Sequence, residues 1–157
     1  MSEELLRELA EQEARLVFDR FDHDTAYELG LQLVAAARER RLPVAVAVRR
    51  GAQLLFHAGL PGSSADNDAW LDRKRRVVER YGHSSLYVGT QFRLAGGSFE
   101  ESSRLDPDRY AAHGGVVPVS VTGVGPVGTV GVSGLPQLDD HAFVVEQLTA
   151  FLARHLG

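Results

Sequence analysis

The chain has no cysteine, which removes disulfides, thiolate catalysis and cysteine-ligated zinc from consideration. It also lacks any run of the ~18 consecutive apolar residues that a membrane-spanning helix needs. Its acidic opening, Ser2-Glu3-Glu4, is without the basic start of a secretory signal. These absences predict a cytoplasmic protein with no membrane partner. Positive charge is in short supply: 17 Lys and Arg face 21 Asp and Glu, a net charge of −4. That balance argues against a nucleic-acid surface, which needs a basic field. No repeat, low-complexity tract or linker divides the sequence, and 157 residues suffice for a core of their own. A single domain over residues 1–157 is expected.

Glycine, by contrast, is plentiful, with 16 in the chain, and it concentrates in the stretch Gly114 to His141. There two β-branched runs, Val116–Val121 and Val127–Val132, flank Gly123-Val124-Gly125-Pro126, the pattern of a hairpin. The same turn satisfies GxGxxG through Gly128, but that dinucleotide fingerprint works only between a strand and a helix. A strand follows here, so the motif is a turn. Leu135-Pro136 ends the second strand, and Asp139-Asp140 is placed to cap a last helix.

Earlier in the chain, Leu5, Leu6 and Leu9 follow a Ser2 cap at helical spacing, and the helix gives way to a short extended piece at Leu16-Val17-Phe18. Asp22-His23-Asp24 caps a second helix whose stripe runs Ala26, Leu29, Gly30, Leu33, Val34, Ala37 up to Pro43. Val44–Val48 reads as a central strand, Arg49 to Ala52 as its turn and Gln53–Ala58 as its partner. A third helix starts near Ser63, Ser64 or Asp66 and runs to Tyr81, where Gly82 breaks it. Ser84-Ser85 then opens another helical piece, and Ala95 to Pro107 reads as a polar, partly irregular excursion. Two hairpins separated by helices imply a mainly antiparallel sheet with helices packed on it, an α/β (α+β) sandwich of three layers, α/β/α, of the profilin-like kind.

The third helix carries the most unusual signal. Trp70, Lys74, Val77, Val78 and Tyr81 share one face, so a lysine sits inside an apolar stripe. The plainer reading is a lysine whose stem covers Trp70 while its amine reaches water; the sharper one is an anchor for a carboxylate of a ligand or a neighbouring subunit. The run Arg73-Lys74-Arg75-Arg76 spreads over all sides of a helix and predicts a solvated face with local ion pairs. Of six histidines, His83, His113 and His141 stand beside glycines or a helix start. No HxH or HExxH spacing occurs, so neutral structural histidines are expected and no metal site. Ser84 and Ser85 follow His83, but adjacent residues make a poor nucleophile and base, and helix capping is the better role.

With these residues in view, the chain resembles the UPF0303 family, similar in turn to the wider haem-degrading, GlcG/HbpS-like domains. The resemblance rests on Pro61-Gly62, Asp66-Asn67-Asp68-Ala69-Trp70, Arg73-Lys74, Gly82-His83-Ser84-Ser85 and Ala112-His113-Gly114-Gly115 with Pro118. It continues through Gly128-Thr129-Val130-Gly131-Val132-Ser133-Gly134-Leu135-Pro136-Gln137 and Asp140-His141, in that order along nearly the whole chain. It implies a profilin-like α/β/α fold, a homo-oligomer of two or more copies, and haem as a candidate cofactor. It marks Asn67, Trp70, Lys74, His83, Ser84, Ser85, His113, Gly115, Ser133, Asp140 and His141 as a candidate ligand-binding site, without assigning a catalytic role to any.

Three functions follow as expectations. The first is an oligomeric small-ligand-binding or accessory protein whose pocket joins Trp70, Lys74, His113 and the Gly131–Gly134 backbone, with Lys74 meeting a small anionic ligand. The second is a haem-binding or haem-degrading protein with His83, His113 or His141 on iron and Lys74 or Arg73 on a propionate. The third gives the motif residues to subunit assembly only.

Overall fold

The computed structural model describes residues 2–155. Its elements run α1 (Ser2–Arg15), β1 (Val17–Phe18), α2 (His23–Glu39), β2 (Ala45–Arg50), β3 (Gln53–Gly59), α3 (Ala65–Tyr81), α4 (Ser85–Leu94), α5 (Phe99–Ser103), β4 (Val116–Val121), β5 (Gly125–Ser133) and α6 (Gln137–His155). The five strands form one sheet in the order β1-β4-β5-β2-β3. Every neighbouring pair is antiparallel except β1 with β4. Pro118 is tolerated inside β4 because the two-residue β1 reaches only Ser120 and Val121, leaving no ladder bond for the missing N–H to make.

Alternation along the strands divides the side chains between two faces. Val46, Val48, Val117, Val119, Val130 and Val132 point to one side, where α2 and α6 close the main core with Leu29, Leu33, Val144, Leu148 and Phe151. Ala45, Ala47 and Val116 point to the other, against Leu71 and Val78 of α3. Beyond α3, a second apolar cluster of Val77, Val88, Phe99 and Ala112 ties α4 and α5 to it, and α1 packs on α4. The result is the three-layer α/β/α sandwich with a mainly antiparallel sheet that the order of elements implied.

One expectation is corrected. The last helix begins at Gln137 rather than at a cap formed by Asp139-Asp140, because the Asp139 and Asp140 N–H groups already donate to Pro136 O. The polar excursion from Ala95 to Pro107 contains a short helix, α5, whose Ser98 cap accepts from the Glu101 N–H at 3.1 Å and whose Phe99 is buried. Among the described residues no helix is long and apolar enough to cross a membrane.

Candidate functional site

The first turn of α3 is fixed by a capping box, in which Asn67 Oδ1 accepts from the Ser64 backbone N–H at 2.8 Å. From there Asn67, Trp70 and Lys74 lie along one helical face at spacings of three and four. That face meets the end of β5 and the start of α6. Asp140, in the first turn of α6, turns its carboxylate back over the β5–α6 connection. Its Oδ1 accepts from the Leu135 N–H at 3.0 Å and its Oδ2 from the Gly134 N–H at 3.4 Å. Lys74 Nζ donates to the same Oδ2 at 3.3 Å, with the two side chains only 4% and 2% exposed.

Lys74 therefore does not reach water along Trp70; its amine ends on a carboxylate within the chain. Burial pushes the lysine pKa below its ordinary value, against the pull of Asp140. Burial likewise pushes the Asp140 pKa up, against Lys74 and the two backbone amides. Gly115 makes this packing achievable: its φ is +140°, and a Cβ there would lie 2.7 Å from Lys74 Nζ and 2.6 Å from Val132 O.

Above the pair opens a cleft of about 250 Å³ lined by Asn67, Trp70, Lys74, His113, Ser133, Gly134, Leu135, Gln137 and Asp140 itself. The His113 ring meets the indole edge to face, with centroids 5.3 Å apart. The Arg73 guanidinium covers the indole at 4.3 Å while its Nε donates to Pro107 O at 3.1 Å. Partial burial holds the His113 pKa below its usual value, and the Lys74, Arg73 and Arg93 cations act the same way, with Glu100 opposing. Gln137, which the sequence reading did not select, accepts from the Gly114 N–H at 2.9 Å through Oε1.

The fold thus brings Asn67, Trp70, Lys74, His113, Gly115, Ser133 and Asp140 together and places the other four candidates elsewhere. His83 Nδ1 donates to Glu13 Oε1 at 2.7 Å, and the ring stacks on Tyr87 at 4.1 Å. Ser84 caps α4, its Oγ accepting from the Tyr87 N–H at 3.1 Å. Ser85 Oγ donates to Val116 O and accepts from the Val116 N–H, each at 3.2 Å. His141 Nε2 donates to Gln12 Oε1 at 2.9 Å, which leaves Nδ1 as a buried acceptor without a partner. All four stitch α1, α4 and the start of β4 to their neighbours. The basic run on α3 makes local ion pairs, Arg75 with Asp72 and Glu79, and Arg76 with Asp72.

These residues do not fit haem. His83 is engaged by Glu13 and Tyr87. His141 borders a void of only about 10 Å³. His113 lines an open cleft of about 250 Å³, where its ring is packed edge to face on the Trp70 indole.

The comparisons with known proteins bear on the fold and the family. The model of the haem degrading protein HbpS-like family matches residues 21–149, which places the chain in that class of α/β domains. Curated relatives narrow the class. A UPF0303 protein of Streptomyces avermitilis is 63% identical over 94% of this chain and 90% of its own length. One of Serratia proteamaculans is 40% identical over 96% and 94%. The chain belongs to the UPF0303 family. Among solved structures, the Ybr137w protein superposes with a TM-score of 0.88 at 33% identity, covering 95% of this chain and 88% of that one. HbpS shares the fold at 21% identity, with a TM-score of 0.67 over 85% and 90% of the two chains. A PduOC:haem complex does so at 15%, with a TM-score of 0.68 over 83% and 94%.

Proposed function

We propose that this protein is a cytoplasmic, homo-oligomeric binding or accessory protein that holds a small organic anion in the cleft above Lys74 and Asp140. The observation that carries the reading is the direction in which the lining amides are held. Asn67 Oδ1 and Gln137 Oε1 are both turned to backbone N–H groups, and neither NH₂ end has a partner among the described residues, so each side chain has two donors to offer. Together with the Lys74 ammonium and the Ser133 hydroxyl, they make a wall of donors suited to a carboxylate. The Trp70 indole supplies an apolar plane beside it, and a site of this kind needs no reacting group. That a PduOC:haem complex shares the fold does not carry haem to this cleft, whose volume and donors suit a smaller anion.

Trp70 is the chain's single tryptophan, so its emission reports on this cleft alone. Benzoate is expected to shift that emission saturably and neutral benzamide is not. Replacement of Gln137 by leucine is expected to weaken benzoate binding by about tenfold, the loss of one charge-assisted hydrogen bond. Equal responses to the acid and the amide, or indifference to Gln137→Leu, would remove the reading. Light scattering checks the assembly. If Trp70→Ala lowers the molecular mass, the indole belongs to a subunit interface instead.

A further inference from the structure

A larger groove lies on the same face of the sheet, between the first half of α3 and the edge strand β3. Its floor is two neighbouring cross-strand rows. In the first, Val116, Gly131, Ala47 and His57 stand opposite one another across β4, β5, β2 and β3. In the second, Thr129, Arg49 and Leu54 do so across β5, β2 and β3. Every one of these residues lines the groove. Helix and sheet separate by a roughly constant distance, so a row of glycine and alanine under a helix leaves space that larger side chains would fill. Here the space is about 430 Å³, within the ~300–1,000 Å³ of small-molecule sites. Gly131 cannot fill it, since a Cβ there would lie 2.5 Å from Val116 Cγ2 and 2.6 Å from Gly115 O.

The mouth is charged, and its donors are not all taken. Arg49 faces the groove by alternation with Ala47, and the pairing of β2 with β3 slips between Val48 and Arg49, a bulge that brings Leu54 to the same face as His57. Asp72 is shared by three guanidinium groups. Arg75 donates to Oδ1 through Nε at 3.0 Å, and Arg76 to Oδ2 at 2.7 Å. Arg49 Nη2 is left 3.9 Å away, outside hydrogen-bond range. Arg49 makes one bond, from Nη1 to Ala52 O at 3.2 Å, although its side chain is only 23% exposed. Burial and the nearby Arg75 pull its pKa down, and Asp72 does not offset them. On the opposite lip His57 Nε2 donates to Asp68 Oδ1 at 2.7 Å, which occupies that carboxylate oxygen.

We infer that this groove is a second ligand site, distinct from the cleft at Lys74, and that it takes an amphipathic organic anion. The apolar body of the ligand lies on Ala47, Leu71 and Val116 beneath α3, and its anionic group takes the unused donors of Arg49. The fit is one of chemistry as well as shape, because the Arg49 guanidinium at the mouth makes one hydrogen bond, to Ala52 O, and keeps its other N–H groups for a ligand. The site does not depend on the anion cleft above Lys74, and its failure would leave that reading intact.

The probe is 1-anilinonaphthalene-8-sulfonate, an aromatic sulfonate, titrated into the full chain by calorimetry and by its own emission. One-to-one binding is expected. Ala47→Leu, which fills the floor, and Arg49→Gln, which removes the guanidinium donors, should each raise Kd by about tenfold. Trp70→Ala, in the other cleft, should leave Kd unchanged. Arg49→Gln should also flatten the dependence on salt, and it reports even where Ala47→Leu fails to fold. An affinity that neither groove substitution alters, or that Trp70→Ala abolishes, overturns the proposal. So does a chain that binds no probe and whose mass in light scattering falls on Ala47→Leu, because a second copy would then occupy the groove.

Discussion

Lys74 Nζ lies 3.3 Å from Asp140 Oδ2 with both side chains buried, and this one contact joins the middle of α3 to the first turn of α6. Burial displaces both groups towards their uncharged forms, so the pair is not a net source of stability over well-packed apolar residues. Breaking it from one side is another matter. Asp140→Ala strands a buried ammonium and also frees the Gly134 and Leu135 N–H groups, and it should cost about 3–5 kcal/mol. The double variant Lys74→Met/Asp140→Asn should lose less than the sum of Lys74→Met and Asp140→Asn. Urea unfolding of the three variants measures the coupling; strict additivity would mean that the ion pair is not formed in solution.

Gly115 is the backbone side of the same arrangement. With φ at +140° and only 2.7 Å between a built Cβ and Lys74 Nζ, Gly115→Ala has to move either β5 or the ammonium. The expected loss is about 2 kcal/mol from conformational strain and displaced packing together. Benzoate binding followed by Trp70 emission should weaken as well, since the shifted lysine no longer aligns with the cleft's donors. A variant with unchanged stability and unchanged binding would contradict both parts.

Ser85 provides the contrast. Its hydroxyl bridges the N–H and C=O of Val116 on the far side of β4 from the ligand cleft. Ser85→Ala leaves two buried backbone groups unpaired and should cost about 1–3 kcal/mol. Ser84→Ala loses a helix cap and should cost about 1 kcal/mol. Neither change should alter benzoate binding. If either abolishes binding in a protein that remains folded, these serines belong to a ligand site after all.

The fold was legible wherever a local signal was strong. The hairpin around Gly123 to Pro126 could be read from two β-branched runs with a Gly/Pro break, and α2 from its stripe. Pairing across the chain could not be read this way. Val17 and Phe18 look extended in the sequence, but nothing local says that they join β4, more than a hundred positions later. Lys74 stood out as a charge inside an apolar stripe, and Asp140 as part of a motif. That they meet each other, 66 positions apart, depends on how α3 and α6 cross the end of β5. Asp140 and His141 are neighbours in sequence, but successive helical residues point about 100° apart. One faces the cleft and the other faces α1, so a motif that names both mixes a cleft residue with a structural one. The groove over Ala47 and Gly131 was invisible for a related reason, because an absence of side-chain volume shows only when strands are laid side by side.

Haem binding by histidine can be tested on the same grounds. His83 and His141 are both committed to α1, so His83→Ala and His141→Ala should leave any absorbance response to haemin unchanged. The response itself should be weak and should not saturate. A saturable Soret shift that disappears in His113→Ala would show that the cleft widens enough to hold a porphyrin.

His141 is expected to make the fold sensitive to acid. Its Nε2 proton is committed to Gln12, its Nδ1 is buried without a partner, and burial lowers its pKa from 6.5 to about 4. The folded state therefore resists a proton that the unfolded chain accepts near the ordinary histidine value. Because the folded pKa is the lower one, stability is complete above about pH 6.5 and is lost as the pH falls towards 4. The expected loss between pH 7 and pH 5 is about 2 kcal/mol from this residue alone. Urea midpoints measured across that range should fall for the native sequence and fall less for His141→Gln, which keeps a donor for Gln12 but cannot take up the proton. Parallel curves for the two proteins would show that another group governs the acid response.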